Sequence, residues 1–446
     1  MSIHLKTALY KAALLSMVLS LLGFTIALAA SGDLDTTFSG DGLVTSFMLP
    51  EPDREDVVQG IAIQPNGKIV VAGYSRVPVF DPFDPEDSDF ALARYNANGS
   101  LDTTFSGDGR LLLDFGAVDT ANDVRVQPDG KIIVVGDACE QFGGGCDAAL
   151  ARYNSNGTLD TTFSGDGIQR TAFGGNYNTA TGLRIQQDGK IVVSGSVVIG
   201  GNYDFAIYRY LSNGSLDTTF SGDGMVRFGF GAGRHDLAED LAFQNTDGKI
   251  VVIGHTSNSG FSAANFALAR VNPNGTLDTT FSGDGRQITD FGTSDYGYSF
   301  SGLPDGRMMV VGQTVTGGNS SIAIARYKPD GSLDTTFNLT GKKIFRVIPG
   351  FDSFATDVVI QPDKKIVVLG STLNSSGAFD FALVRLNPGG GLDTTFSGDG
   401  KAIIDFGGAD YGFSLARQPS DGKYVLGGKN NVSPAGVDFA LARVLP

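Results

Sequence analysis

Apolar residues in this chain fall into two kinds of short block that alternate along its length. One is a continuous run ending in glycine, as in Ile69-Val70-Val71-Ala72-Gly73, Ile132-Ile133-Val134-Val135-Gly136, Ile250-Val251-Val252-Ile253-Gly254 and Ile366-Val367-Val368-Leu369-Gly370. So short a run of mostly β-branched residues predicts a strand covered on both faces. The other block is Asp89-Phe90-Ala91-Leu92-Ala93-Arg94-Tyr95, echoed by Asp147–Tyr153, Asp204–Tyr210, Asn265–Val271, Ser321–Tyr327, Asp380–Leu386 and Asp438–Val444. With a side-chain period of two, Phe90, Leu92 and Arg94 share one face while Ala91, Ala93 and Tyr95 share the other. A sheet that is bulky on one side and small on the other can nest against a copy of itself.

Two further segments complete the unit. Before each glycine-ended run comes a strand-like stretch such as Asp56–Gln64, then a turn: Pro65-Asn66-Gly67-Lys68, Pro128-Asp129-Gly130-Lys131, Gln187-Asp188-Gly189-Lys190 or Ser420-Asp421-Gly422-Lys423. Asn-Gly or Asp-Gly between apolar runs predicts a tight hairpin with φ > 0 at both central positions. Leu-Asp-Thr-Thr-Phe follows six of the Phe/Ala blocks, at Leu101, Leu159, Leu216, Leu277, Leu333 and Leu392, and also stands ahead of the first at Leu34; a fourth strand such as Arg110–Gly116 comes next. The steps between copies are 67, 58, 57, 61, 56 and 59 residues, so the chain is an array of units of one size. No stretch sustains a helical period. The expected fold is all-β: a seven-bladed β-propeller of four-stranded antiparallel blades. The chain opens on a fourth strand near Leu43–Met48 and stops after a third, so the N-terminal strand is expected to close the last blade. An open stack of the same units is the alternative, but it would expose two apolar faces.

The recurring Gln-Pro-Asp-Gly-Lys-Ile-Val-Val-x-Gly, Phe-Ala-Leu-Ala-Arg-Tyr and Leu-Asp-Thr-Thr-Phe-Ser-Gly-Asp-Gly resemble the delta-sixty repeat family of exported, mostly bacterial proteins. The resemblance spans residues 31–446 and implies a β-propeller; it brings no activity and no catalytic residues. Members often carry a C-terminal sorting domain, and the ending at Pro446 argues against covalent surface anchoring. The sixth copy departs from the pattern, with Asn338-Leu339-Thr340-Gly341 in place of Ser-Gly-Asp-Gly.

Residues 1–30 read as a cleaved export signal: Lys6 and Lys11, an apolar run from Ala12 to Leu28, and a small-residue end at Ala27-Leu28-Ala29. A retained membrane anchor is the alternative, although the run is short for a bilayer. Residues 31–446 then form one propeller domain with no membrane span, secreted to the periplasm or beyond. Cleavage removes two lysines and no acid, moving the formal charge from -15 to -17. Such acidity disfavours nucleic acid as a partner and suits a soluble monomer that meets an extracellular glycan or protein. The only cysteines, Cys139 and Cys146, suit a local disulfide in an exported protein better than a metal site.

Candidate functional residues divide into repeated and unrepeated ones. The seven arginines of the Phe/Ala blocks (Arg94, Arg152, Arg209, Arg270, Arg326, Arg385, Arg443) match in number the seven aspartates of the Leu-Asp-Thr-Thr-Phe segments (Asp35, Asp102, Asp160, Asp217, Asp278, Asp334, Asp393), as structural ion pairs should. The Ser-Gly-Asp-Gly turns lack the alternating ligands of a Ca²⁺ loop, so no cofactor is expected and turn chemistry explains their aspartates, with calcium binding as the alternative. Variable loops on one rim form the candidate binding surface: Asp81 and Asp84 in an acidic insert, Arg234 and His235, Asp295, Tyr296 and Tyr298, and Asp410 and Tyr411. With His235 and His255 the only histidines after residue 30 and no nucleophile motif, a binding or scaffolding module is the leading reading. A carbohydrate-active enzyme with carboxylates in the central pocket and a purely structural envelope protein are the alternatives.

Overall fold

The computed structural model of the chain describes residues 29–49, 54–77, 87–140, 144–175, 177–244, 247–431 and 436–446. Most of the expected export signal, and the candidate rim residues Asp81 and Asp84, lie outside the described residues. The described chain is all-β, with twenty-eight strands and no α-helix. Strands fall into antiparallel sets of four. In the first, Glu55–Ile63 pairs with Ile69–Val77, which pairs with Asp87–Tyr95, which pairs with Arg110–Leu113. Five more sets repeat this order between Asp119 and Ile404. The last set takes Ala409–Arg417, Tyr424–Asn431 and Val437–Val444 from the end of the chain and its fourth strand, Leu43–Ser46, from the beginning. Leu43 lies opposite Ala442 and Ser46 opposite Phe439.

The hairpins differ from the turn expected of Asn-Gly. The Gly67 N–H donates to the Gln64 carbonyl at 2.9 Å, the Gln64 N–H donates to the Lys68 carbonyl at 2.8 Å, and Gly67, not Asn66, has positive φ. The connection is therefore a three-residue loop, Pro65-Asn66-Gly67. Proline fixes its own φ near −65°, which starts a type I turn and leaves one left-handed position for glycine.

The glycine ending each second strand answers to its inner neighbour. The inner strands carry an extra residue where the register shifts, between Val58 and Gly60, Ala121 and Asp123, Ala238 and Asp240, Gly297 and Ser299, Ala355 and Asp357, and Gly412 and Ser414. Such a bulge bends its strand toward the partner. A Cβ on Gly254 would stand 1.9 Å from the Leu237 carbonyl oxygen, and one on Gly73 would stand 1.8 Å from that of Val57. Only glycine fits opposite the bulge.

Packing between sets follows the large-against-small pattern. Phe90 and Leu92 of the first set pack with Ala149 and Ala151 of the second. Ala91 and Ala93, on the opposite face, pack with Phe439 and Leu441 of the last. Seven apolar clusters separate consecutive sets, one of them between last and first. Each fully buried Phe or Leu contributes roughly 1.5–3 kcal/mol.

Candidate functional site

Two rings of polar residues are built by these units, one on a rim and one around the axis. On the rim, the third-strand arginine meets the aspartate eight residues on in six sets, and Arg443 meets Asp35 from the start of the chain in the last, with Nε–Oδ2 distances of 2.6–2.8 Å in all seven. The same guanidinium lies over the Phe of that segment at 4.5–5.0 Å from the ring centre. Arg209 also donates to the Thr219 hydroxyl at 3.2 Å and to the Pro273 carbonyl of the next unit at 2.6 Å. A second cation, the hairpin residue Lys68, Lys131, Lys190, Lys249, Arg307, Lys365 or Lys423, reaches each aspartate at 2.7–3.8 Å. The sequence pattern held these lysines in view, but their pairing across the blade was not read from it. Burial alone would raise the pKa of Asp35; the Lys423 ammonium, the Thr37 hydroxyl and N–H, and Arg443 outweigh it and bring it to about 2.

The Ser-Gly-Asp-Gly turns stitch one unit to the next. Ser106 has φ +51°, a left-handed value uncommon for serine, and its N–H donates to the Asn156 carbonyl of the following unit at 2.9 Å. Asp108 accepts the Arg110 N–H at 2.9 Å, and Asp41, Asp166, Asp223, Asp284 and Asp399 do the same two residues ahead.

The candidate rim residues within the described chain stand mostly in strands, not in loops. Asp295 and Asp410 are fully buried at the start of inner strands, where they accept the N–H of Phe291 at 2.6 Å and Phe406 at 2.7 Å. Asp119 and Asp236 make the same bond with Phe115 and Phe230. These carboxylates cap the turn into four of the inner strands. His235 is buried, stacks on Phe261 at 4.1 Å and accepts the Tyr203 N–H at Nδ1. Arg234 donates to the Thr256 hydroxyl at 2.7 Å. Tyr411 packs at a tilt against Phe379 and under Lys429, and Tyr296 packs against His255. Tyr298 differs: it is the bulge residue of its strand and faces the axial cavity. Cys139 and Cys146 are joined in a disulfide across a strand pair.

That cavity, of about 700 Å³, is walled by the inner strands of every unit. Where the units agree elsewhere, they disagree here: the bulge position holds Gln59, Asn122, Thr181, Glu239, Tyr298, Thr356 and Phe413 in turn. Around them runs a charged network. Asp123 meets Arg125 at 2.7 Å and Arg184 at 3.4 Å, and Arg184 reaches Asp240 at 3.0 Å. Asp123, Asp240 and Asp357 also accept the N–H of Leu183, Phe300 and Leu415 in the following unit, at 3.0, 3.2 and 2.7 Å. Their second role is thus to hold neighbouring inner strands together.

Burial dominates the protonation of this region. It pushes Asp357 up to about 6 against the opposing hydrogen bonds of Ser299 and Leu415. It pushes Glu239 up to about 8, with Asp137 and Asp240 adding to the effect. Asp137, which accepts the Ala180 N–H and the Asn122 amide, rises to about 7. His255 falls to about 4, and its Nδ1 lies 3.5 Å from the Glu239 carboxyl, so that contact joins two groups that burial keeps uncharged near neutral pH. Asp123, Arg125, Arg184, Glu239, Asp240 and Asp357 were absent from the sequence-based candidates. Their only signal was disagreement among the units within an otherwise regular strand.

Repeated four-stranded sheets packed face to face around such a cavity define a β-propeller repeat protein. Six stretches, 64–105, 127–163, 186–220, 246–281, 303–337 and 361–396, match the family model described as "Domain of unknown function (DUF5122) beta-propeller". Each match runs from a hairpin to a Leu-Asp-Thr-Thr-Phe segment; the set that draws strands from both ends of the chain is interrupted in sequence and falls outside them. No curated protein matches the chain. Among solved structures, a protein of unknown function from Dyadobacter fermentans is similar at 10% identity and TM-score 0.47, covering 91% of this chain and 98% of that one. The polysaccharide lyase Uly1 is similar at 12% identity and TM-score 0.49, over 90% and 91%. The β-propeller domain of the Trilobed protease from Pyrococcus furiosus is similar at 10% identity and TM-score 0.44, over 89% and 94%.

Proposed function

We propose that residues 31–446 form a single seven-bladed ring, closed by Leu43–Ser46, that is exported and binds a neutral oligosaccharide in its axial cavity without cleaving it. The carrying observation is the cavity wall, where the seven units place six different side chains at one position and all but Phe413 bring polar groups to a roomy pocket. Tyr298, Phe354 and Phe413 supply flat apolar surface, and Arg125, Arg184 and the carboxylates supply hydroxyl partners. Charge decides the ligand class. Asp123 and Asp240 are matched by the two arginines and Glu239 holds its proton, so no surplus positive charge remains to attract an anionic glycan or nucleic acid. The disulfide fits an oxidising compartment. The period near 60 residues is the reason to place the repeats with the delta-sixty proteins, and a monomer suffices for an axial site.

A second reading has one observation in its favour. Glu239, a carboxyl held protonated beside Asp240, is the kind of pair that glycoside cleavage uses, one acid and one carboxylate. Calorimetry of the protein with cello-, xylo-, manno- and chito-oligomers, followed by a reducing-end assay on the same mixtures, separates the two. Binding without new reducing ends, weakened by Glu239→Gln, supports the module; new reducing ends abolished by Glu239→Gln establish the enzyme. No binding of any oligomer overturns both.

A further inference from the structure

Where the sixth unit meets the seventh, three carboxylates converge. Asp380 opens the third strand of one unit, Asp405 follows its fourth strand, and Asp410 begins the inner strand of the next. One oxygen from each lies within 4.8 Å of the other two. Asp410 is fully buried; its Oδ2 accepts the Phe406 N–H, while its Oδ1 has no hydrogen-bond partner. Asp405 is exposed and accepts the Gly407 N–H at 2.6 Å. Asp380 accepts the Asn374 amide at 2.9 and 3.1 Å.

The corresponding places in other units show what is missing here. Asp89 has Arg54 at 3.9 Å, Asp147 has Arg170 at 3.4 Å, and Asp204 has Arg227 at 2.8 Å. Each of those third-strand aspartates is matched by a cationic side chain. Among the described residues none of Asp380, Asp405 and Asp410 has a Lys, Arg or His within ion-pair distance, although the three stand closest together. We propose that Asp380, Asp405 and Asp410 bind a calcium ion that supplies the positive charge the chain provides itself in the first three units. Ca²⁺ sits 2.3–2.6 Å from its oxygens, so it bridges oxygen pairs up to about 5 Å apart, and water completes the shell on the exposed Asp405 side. Mg²⁺ demands stricter octahedral geometry than three carboxylates and an open face supply.

The ion would clamp the junction between two units, so binding should raise the thermal midpoint by mass action. The test is calorimetric titration of CaCl₂ into EDTA-treated full-length protein at pH 7.5, with thermal midpoints recorded in EDTA and in excess Ca²⁺. One equivalent bound and a raised midpoint are expected. Asp405→Asn, at an exposed position, should keep the midpoint in EDTA and lose both the heat and the Ca²⁺-induced rise. Asp114→Asn, at the equivalent place in the first unit, should retain both. No heat with the native protein, or equal binding by the native protein and Asp405→Asn, overturns the proposal.

Discussion

The rim and the axis are made by the same seven units yet obey opposite rules. On the rim, every unit places an arginine, an aspartate, a hairpin cation, a threonine and a phenylalanine in one arrangement. Each carboxylate there is over-supplied with positive charge and held below its ordinary pKa, Asp35 at about 2. Around the axis the units differ residue by residue, and burial without enough cation pushes carboxyls up, Glu239 to about 8 and Asp357 to about 6. Repetition of a satisfied network makes stability. Departure from repetition, in a buried and incompletely matched setting, is where a chain can place recognition.

The largest effect should come from the contact both regions depend on. Gly254→Ala forces a Cβ to 1.9 Å from the Leu237 carbonyl oxygen and 3.0 Å from the Ala238 Cα, neither of which can swing aside. Loss of more than about 4 kcal/mol is expected, read as failure to give a cooperative urea transition. Breaking the rim comes next. Arg209→Met leaves Lys190, 3.8 Å away, as the cation paired with the buried Asp217, and should cost about 3–5 kcal/mol in chemical denaturation. An unchanged midpoint would mean that the rim pairs are ornamental.

The comparison sharpens with pH, because the two regions should lose stability in opposite directions. Rim aspartates have folded pKa values below their unfolded ones, so their contribution is present above about pH 4 and is lost as pH falls toward 2. Glu239 has a folded pKa above its ordinary 4.5, so its contribution is present at low pH and is lost as pH rises through about 8. Unfolding curves of native protein and Glu239→Gln should therefore agree near pH 5 and separate toward pH 8.5, the variant becoming the more stable. Smallest of all, Cys139→Ser with Cys146→Ser removes a link closing a short loop between strands already paired, and should cost about 2 kcal/mol or less.

How much of this was legible in the sequence depends on how far apart the partners lie. The units, the nesting faces and the Arg–Asp pairing could be read because their parts recur within eight or ten residues, as Arg209, Asp217 and Thr219 do. The hairpin was misjudged because Asn-Gly was weighed and Pro65 was not. Asp295 and Asp410 looked like loop residues because Asp beside Tyr and Gly reads as polar and irregular; they begin strands, and their carboxylates cap the turns that precede them. The axial network was not legible at all. Asp123, Arg184, Asp240 and Asp357 are separated by about a repeat or more of chain and meet only because the bulges turn each inner strand to the same centre.

The most direct test is to locate a bound neutral oligosaccharide by crystallography on whichever oligomer binds best. Density threading the axis between Tyr298 and Arg184 is the expected result. Density on the outer loops near Cys139 and Cys146, with the axis filled only by water, would contradict the account.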